Sequence, residues 1–293
     1  MELLPRLIAG GLGAGALYGL MALGLVLIYK TSDVVNFGHG DMATFSAFVA
    51  YSMFVRWQWP VPLALLGTLL VAALLGVVVE RGILRPARNR LASILSLVVA
   101  TLGVALALNG LVGAIWGHDV KRLPYLVTGP PLRLGVAVIT REQIINLGVG
   151  LALAGLLYLF FRFTDLGIAM RATAQNPTAA QLMGVSTNRV LTLTWGLGSA
   201  LGAVAGILAA PAVFLEPNTL VAVFIKAFAA AVLGGFTSLP GAVVGGLTLG
   251  VLENLVAGYI STELKTTFAF ALIVLVLAIR PSGLLGRVVQ KKV

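Results

Sequence analysis

The sequence predicts an all-α, polytopic transmembrane helix bundle of about eight to ten spans, and three observations carry that prediction. Apolar residues make up 59% of the 293 and charged residues only 10%, against roughly a quarter charged in a soluble globular chain. The apolar residues fall in runs long enough for a helix to cross a hydrocarbon core of about 30 Å. The loops between the runs carry basic residues unevenly, as loops on opposite sides of a membrane do.

Nine runs qualify: Leu7 to Tyr29, Val34 to Val55, Val61 to Val79, Leu91 to Ile115, Ile144 to Phe161, Val190 to Val213, Thr219 to Phe236, Ala242 to Tyr259 and Leu264 to Ile279. Lipid cannot satisfy free backbone groups, and each run far exceeds a barrel strand, so helices are expected throughout. The first run is too long for the core of a cleavable signal and reads as a retained helix. The chain as a whole, 1–293, reads as a single transmembrane domain. The absence of cysteine excludes disulfides and thiolate metal sites.

The net charge of +10 points to topology here and not to nucleic acid. Lys30, Arg81, Arg85, Arg88, Arg90, Arg162, Arg171, Arg189, Arg280, Arg287, Lys291 and Lys292 fall on one side of the nine-span arrangement. Arg6, Arg56, Lys121, Arg122, Arg133, Arg141 and Lys265 fall on the other. This places the first set in the cytoplasm and the N-terminus outside. The segment 117–142, with Pro124, Gly129, Pro130, Pro131 and Gly135, is then an external loop, either a small hairpin or lid or a plain connection.

Between the fifth and sixth runs lies a polar island, 162–189. Asn176 suits an N-cap, Pro177 the first helical position and Gly184 a left-handed C-terminal stop. Those signals predict a helix of about two turns, after which Ser186 is placed to cap the next span. A plain connection needs only a few residues, so a separately punctuated helix reads as a surface for a partner to grip.

Glycines spaced by four, Gly11, Gly15 and Gly19, Gly198, Gly202 and Gly206, and Gly241 with Gly245 and Gly246 with Gly250, predict helices in close contact. Two polar sets stand inside apolar runs. Lys226 lies near the middle of the seventh, where a charge costs about 2.5–3.5 kcal/mol. Glu253 in the eighth is its expected partner if the two helices are neighbours; otherwise one of them lines a water-filled path. Asn36, His39 and Asp41 open the second run, with Gly38 and Gly40 around the histidine, and read as a conformationally soft polar junction beside a pathway or a subunit contact. With no second cluster of ligands, a metal site is not expected. The chain also lacks a Gly-x-x-x-x-Gly-Lys-Ser/Thr string, His-Glu-x-x-His and Gly-x-Ser-x-Gly, which argues for transport over catalysis.

Three segments resemble the permease subunits of branched-chain amino acid ABC importers. The first is Gly15-Ala16-Leu17-Tyr18-Gly19-Leu20-Met21-Ala22-Leu23-Gly24-Leu25 continuing to Val34-Val35-Asn36-Phe37-Gly38-His39-Gly40-Asp41-Met42, with one small departure from the family at Gly38, where alanine is usual. The second is the island, Gly167-Ile168-Ala169-Met170-Arg171-Ala172 to Leu182-Met183-Gly184-Val185. The third is Ala231-Val232-Leu233-Gly234-Gly235-Phe236 through Gly241 to Gly246.

The resemblance implies a fold related to the larger bacterial importer permeases and a set of partners. These are a second homologous permease, two cytoplasmic ATPase subunits and a periplasmic or extracellular substrate-binding protein, all at the bacterial cytoplasmic (inner) membrane. ATP is then used by the partner subunits, and no cofactor is bound by this chain. The island becomes the coupling segment, with Asp165, Gly167, Arg171, Asn176, Pro177, Leu182, Met183, Gly184 and Arg189 as the residues that meet the ATPase. Urea, short amides and other amino acids are alternative cargoes, and an autonomous channel or ion-coupled carrier is the reading from a different class.

Overall fold

A computed structural model of the chain describes residues 3–127, 129–134 and 137–286. Gly135 of the loop and Arg287, Lys291 and Lys292 of the basic tail lie outside them. Among the described residues the order is α1 Leu3–Ser32, α2 His39–Tyr51, α3 Val61–Val79, α4 Arg85–Asn89 and α5 Ile94–Trp116. A hairpin of β1 Leu132–Leu134 and β2 Ala137–Ile139 follows, then α6 Arg141–Phe163, α7 Asp165–Gln175, α8 Pro177–Leu182 and α9 Thr187–Val213. α10 Thr219–Gly234, α11 Leu239–Tyr259 and α12 Leu264–Ile279 complete the chain. Single π-helical turns at Ser52–Arg56 and Glu80–Leu84 extend α2 and join α3 to α4.

Each of the nine apolar runs forms a helix. Six helical stretches are long and apolar enough to cross a membrane, Leu3–Ser32, Val61–Asn89, Ile94–Trp116, Arg141–Phe163, Thr187–Val213 and Leu239–Tyr259, while α10 and α12 are shorter and apolar. The outer face of α3 exposes Leu66, Leu70 and Leu74, one per turn. A stripe of this kind belongs against lipid. Within the segment 117–142, β1 and β2 pair antiparallel with Leu132 opposite Ile139, the hairpin alternative of the sequence reading.

α1, α6 and α11 each begin three or four residues before their apolar runs, at Leu3, Arg141 and Leu239, and three further starts differ from the sequence reading for local reasons. The second run is helical only from His39, because the Asn36 side chain accepts the Gly38 N–H at 3.1 Å in place of a helical carbonyl. α5 begins at Ile94 and not at Leu91, whose φ of 58° is left-handed; the Ser93 hydroxyl then accepts the Ser96 N–H at 3.1 Å and caps the helix. α9 begins at Thr187, and although Ser186 occupies the cap position its side chain makes no capping bond. The Ser186 carbonyl instead receives the N–H groups of Arg189 and Val190.

The described residues gather into two compact units, one from within 1–26, 127–154 and 224–293 and the other from within 27–126 and 155–223. In the first, α1 and α11 meet through glycine on both sides. A methyl group placed on Gly15 would lie 2.6 Å from the Gly246 carbonyl oxygen and 2.8 Å from Leu247 Cα. Nothing larger than hydrogen fits there. The chain after α12 returns to close α10, with the N–H groups of Leu284 and Leu285 donating to the carbonyls of Leu233 and Gly234 at 2.8 and 3.0 Å, so carbonyls left open at the helix end are satisfied.

In the second unit α9 is the central helix. Its buried face carries Trp195, Ser199, Gly202, Ala203, Gly206 and Ala210 and packs on α2 and α3. Trp195 belongs to a core with Ile28, Val34, Met42, Val79, Leu84, Leu97, Val104 and Leu108. At the π-turn that ends α2, the Trp116 indole N–H donates to the buried Ser52 hydroxyl at 2.7 Å. The indole is thereby fixed over Phe45 and Phe48, whose ring centroids lie 5.7 and 5.4 Å away.

Gly15→Leu should overpack the α1–α11 contact and destabilise the protein by about 1–3 kcal/mol, whereas Gly103→Leu, where an added Cβ meets nothing within 4 Å, should leave it near wild type. Thermal unfolding of the two variants in detergent measures the difference. Equal midpoints would show that the glycine row is not a packing requirement.

Candidate functional site

The island folds as two short helices in an angular chain. The Thr164 side chain accepts the Gly167 N–H at 3.0 Å and starts α7, with Asp165 exposed in its first turn, where a negative charge suits the helix dipole. Gly167 is buried because α7 folds back on the end of α6: a methyl group there would lie 2.6 Å from Phe161 Cα. Met170 and Thr173 continue this inner face, while Arg171 points outward and is exposed. The sequence reading treated 162–175 only as a polar stretch and missed α7; the Thr164-x-x-Gly167 spacing was the available signal.

α8 follows its punctuation. The Asn176 side chain accepts the Ala179 N–H at 3.0 Å, Pro177 is the first helical residue, and Gly184 turns the chain with φ of 85°. Its N–H donates to Gln181 O and that of Val185 to Ala180 O, both at 2.9 Å. Only Ala180 of α8 is buried. Leu182 and Met183 are 83% and 84% exposed, which leaves two large apolar side chains at the tip of a short capped helix. Gln181 Nε2 donates to the Thr187 hydroxyl at 2.7 Å and fastens α8 to the first residue of α9. Arg189, one turn further, is exposed.

Beside the start of α9 stands a network that the sequence reading did not single out. Glu80, fully buried in the π-turn after α3, accepts from Arg85 Nη2 at 2.8 Å and Nε at 3.3 Å, from Arg88 Nη2 at 3.1 Å and from the Thr192 hydroxyl at 2.8 Å. Arg85 Nη2 also donates to the Asn188 carbonyl at 2.9 Å and to Thr192 Oγ1, and Arg88 reaches Asn188 Oδ1 at 3.2 Å. In the sequence the arginines carry only a topology signal. A lone carboxylate at the head of four arginines in ten residues was the clue, and its link to α9 required the fold.

The two intramembrane polar sets belong to different units. Asn36 and His39 are fully buried, and Asp41 is 8% exposed in the first turn of α2. Asn36 is held between the Gly38 N–H and Met42 Sδ, and Thr101 Oγ1 of α5 accepts the Phe37 N–H at 3.1 Å. The His39 ring lies against α9 at Gly202, where a methyl group would come within 2.9 Å of it. Lys226 and Glu253 do meet: Nζ of Lys226 on α10 lies 2.5 Å from Glu253 Oε1 on α11 and 3.3 Å from the Tyr18 hydroxyl of α1. Tyr18, the third member, was missed because its hydroxyl is unremarkable until the helices are assembled.

Over residues 7–277 the sequence matches the family described as branched-chain amino acid transport system, permease component. It is similar to the high-affinity branched-chain amino acid transport system permease protein LivH of Salmonella typhimurium, 34% identical over 97% of this chain and 96% of that protein. BraD of Pseudomonas aeruginosa, a permease protein of the same description, is 34% identical over 98% and 97%. The probable branched-chain amino acid transport permease protein LivH of Methanocaldococcus jannaschii is 31% identical over 91% and 88%.

Replacing Lys226 by methionine strands the buried Glu253 carboxylate and should cost about 3–5 kcal/mol, whereas Lys226→Met with Glu253→Met together should recover most of that loss. A double-mutant cycle read by thermal unfolding tests this. A double variant no more stable than Lys226→Met alone would exclude mutual charge compensation as the reason for the pair.

Proposed function

Because this chain belongs to the branched-chain amino acid transport permease family, we propose that it pairs with a second homologous permease to form the conduit of an ATP-binding-cassette importer for leucine, isoleucine, valine or a similar amino acid. The family is one of transport permeases and not of enzymes, and the chain is a multi-pass importer permease of the cytoplasmic membrane. The observation that carries the reading is the family match itself, which runs through every apolar helix and the island between α6 and α9. Two cytoplasmic ATPase subunits bind and hydrolyse the ATP, a periplasmic or extracellular binding protein delivers the solute, and this chain holds no cofactor.

The island is the part that meets the ATPase. Its geometry supports that role in two ways: Leu182 and Met183 project from α8 as an apolar tip suited to a cleft, and the turn at Gly184 is too short and too fully hydrogen-bonded to absorb a push. Displacement of α8 by closure of the ATPase pair therefore passes into α9, which is packed along its length on α2 and α3. A rigid-body shift of packed helices of this kind is a known route from a small local movement to a change of access. Asn36, His39 and Asp41 sit on α2 and the junction before it, where that shift would alter a polar surface.

Liposomes containing the chain with its permease partner, the ATPases and the binding protein should accumulate labelled leucine with ATP inside. Uptake at the same rate by the chain alone would establish the autonomous carrier instead. Gly184→Val forces a β-branched residue into left-handed backbone, and Arg171→Glu reverses an exposed charge of α7. Each should raise the ATP hydrolysed per solute moved about tenfold, equivalent to about 1.4 kcal/mol. If both variants keep the wild-type ratio, the island is not the coupling element.

A further inference from the structure

We propose that Glu80 is a positioning residue for coupling: its carboxylate, clasped by Arg85, Arg88 and Thr192, latches the first turns of α9 to the end of α3, so that a push on α8 moves α3 and α9 as one body. This rests on the reading of the island as the coupling segment and adds a second component to it.

Four observations carry the latch. Glu80 is wholly buried, yet it stands at the head of a basic stretch, Arg81 to Arg90, where an exposed carboxylate would serve charge balance equally well. Its carboxylate meets the Arg85 fork through Nε and Nη2, an arrangement that fixes direction as well as distance. The contacts extend beyond the local chain: Thr192 donates to the carboxylate, and both arginines reach Asn188. Asn188 and Thr192 are one turn apart on α9, and the Thr187 hydroxyl receives Gln181 of α8. α8 is thus hydrogen-bonded to Thr187 at the start of α9, and Asn188 and Thr192 of the same turns are hydrogen-bonded to Glu80 and its arginines at the end of α3, with the α9 backbone as the link between the two sets and all of them within one compact unit.

The π-turn explains why Glu80 is available. A π-turn inserts one extra residue into the helical repeat. Here it spans Glu80–Leu84 between α3 and α4, placing Arg85 and Arg88, five and eight residues on, against the same carboxylate. Regular helical spacing favours partners three or four residues apart, which here would be Ile83 and Leu84. Buried ion pairs are weak sources of stability, and their best-attested use is to enforce one geometry over others. A latch needs that property.

The test uses the complete importer in proteoliposomes, with ATP hydrolysed per labelled leucine moved as the readout, at equal amounts of assembled complex. Glu80→Gln keeps the shape of the side chain and removes its charge, and should raise the ratio at least fivefold. Thr192→Val, which removes the direct contact of Glu80 with α9 and leaves the contacts of Arg85 and Arg88 with Asn188, should raise it about twofold to threefold, and Glu80→Asp should lie nearer to wild type than Glu80→Gln. A purely structural role would lower the yield or the unfolding temperature and leave the ratio where it was, and that result overturns the latch. Should Glu80→Gln fail to assemble, the ratio of Thr192→Val decides. Gly184→Val in the same assay separates the two ideas: a raised ratio there with an unchanged ratio at Glu80 and Thr192 removes the latch alone. An unchanged ratio in all three removes the coupling role of the island as well.

Discussion

Hydrocarbon offers no hydrogen bonds, and the rest of this structure follows from how the chain meets that constraint. Backbone groups are satisfied inside helices; where the helix stops short of a span, side chains take over. Asn36 does this for Gly38, and Thr101 for Phe37, in the six-residue interval between α1 and α2. Charge obeys the same rule. Lys226 is placed so that Glu253 and Tyr18 replace its lost hydration, and Glu80 is surrounded by two guanidinium groups and a hydroxyl. Because the apolar effect does not drive helices together in lipid, close van der Waals approach has to. That is the part of Gly15 and Gly246 between α1 and α11 and of Gly202 against His39 between α9 and α2.

A protein held together in this way is mechanically uneven. Helices in glycine-mediated contact have no flexible side chains between their backbones to absorb displacement, so they move as blocks; interiors packed to crystal density transmit strain instead of dissipating it. α8 is the opposite case. It buries one residue, exposes two large apolar ones and is joined to the stiff α9 by a turn whose own N–H groups are spent on Gln181 and Ala180. An exposed apolar tip joined by a fully hydrogen-bonded turn to a well-packed helix is what the proposed coupling role requires of α8.

What the sequence could show depended on whether the signal was local. Runs of apolar residues are set by the thickness of the bilayer, so all nine helices were legible, and the Asn176-Pro177 and Gly184 signals located α8 because caps act within four residues. The hidden parts were of two kinds. Some were local but ambiguous: Thr164 and Gly167 start and bury α7, yet in sequence they look like polar loop. Ser186 looks like a cap and contributes its backbone instead. The others were long-range. Glu80 meets Thr192 across 112 residues, and Tyr18 meets Lys226 across 208. No spacing rule reaches that far. A lysine and a glutamate in neighbouring apolar runs could be paired on cost alone, because two buried charges must find each other; a tyrosine or a threonine carries no such obligation.

The same reasoning bears on selectivity. A conduit must bind its cargo weakly enough to let it go, since residence in a deep well slows delivery, and permeation through any selective path requires sites favourable enough to enter and shallow enough to leave. Discrimination between leucine and valine is a matter of about one methylene, worth roughly 1–3 kcal/mol even in a closed pocket. Where contacts are few and shallow, that difference shrinks further. A binding protein that encloses the solute before delivery could use the whole difference, whereas shallow contacts along a conduit could use little of it. The tight helix contacts, the compensation of Lys226 and Glu80 and the bond from Gln181 of α8 to Thr187 of α9 hold helices in register, and a contact that fixes one helix against another carries no preference for leucine over valine.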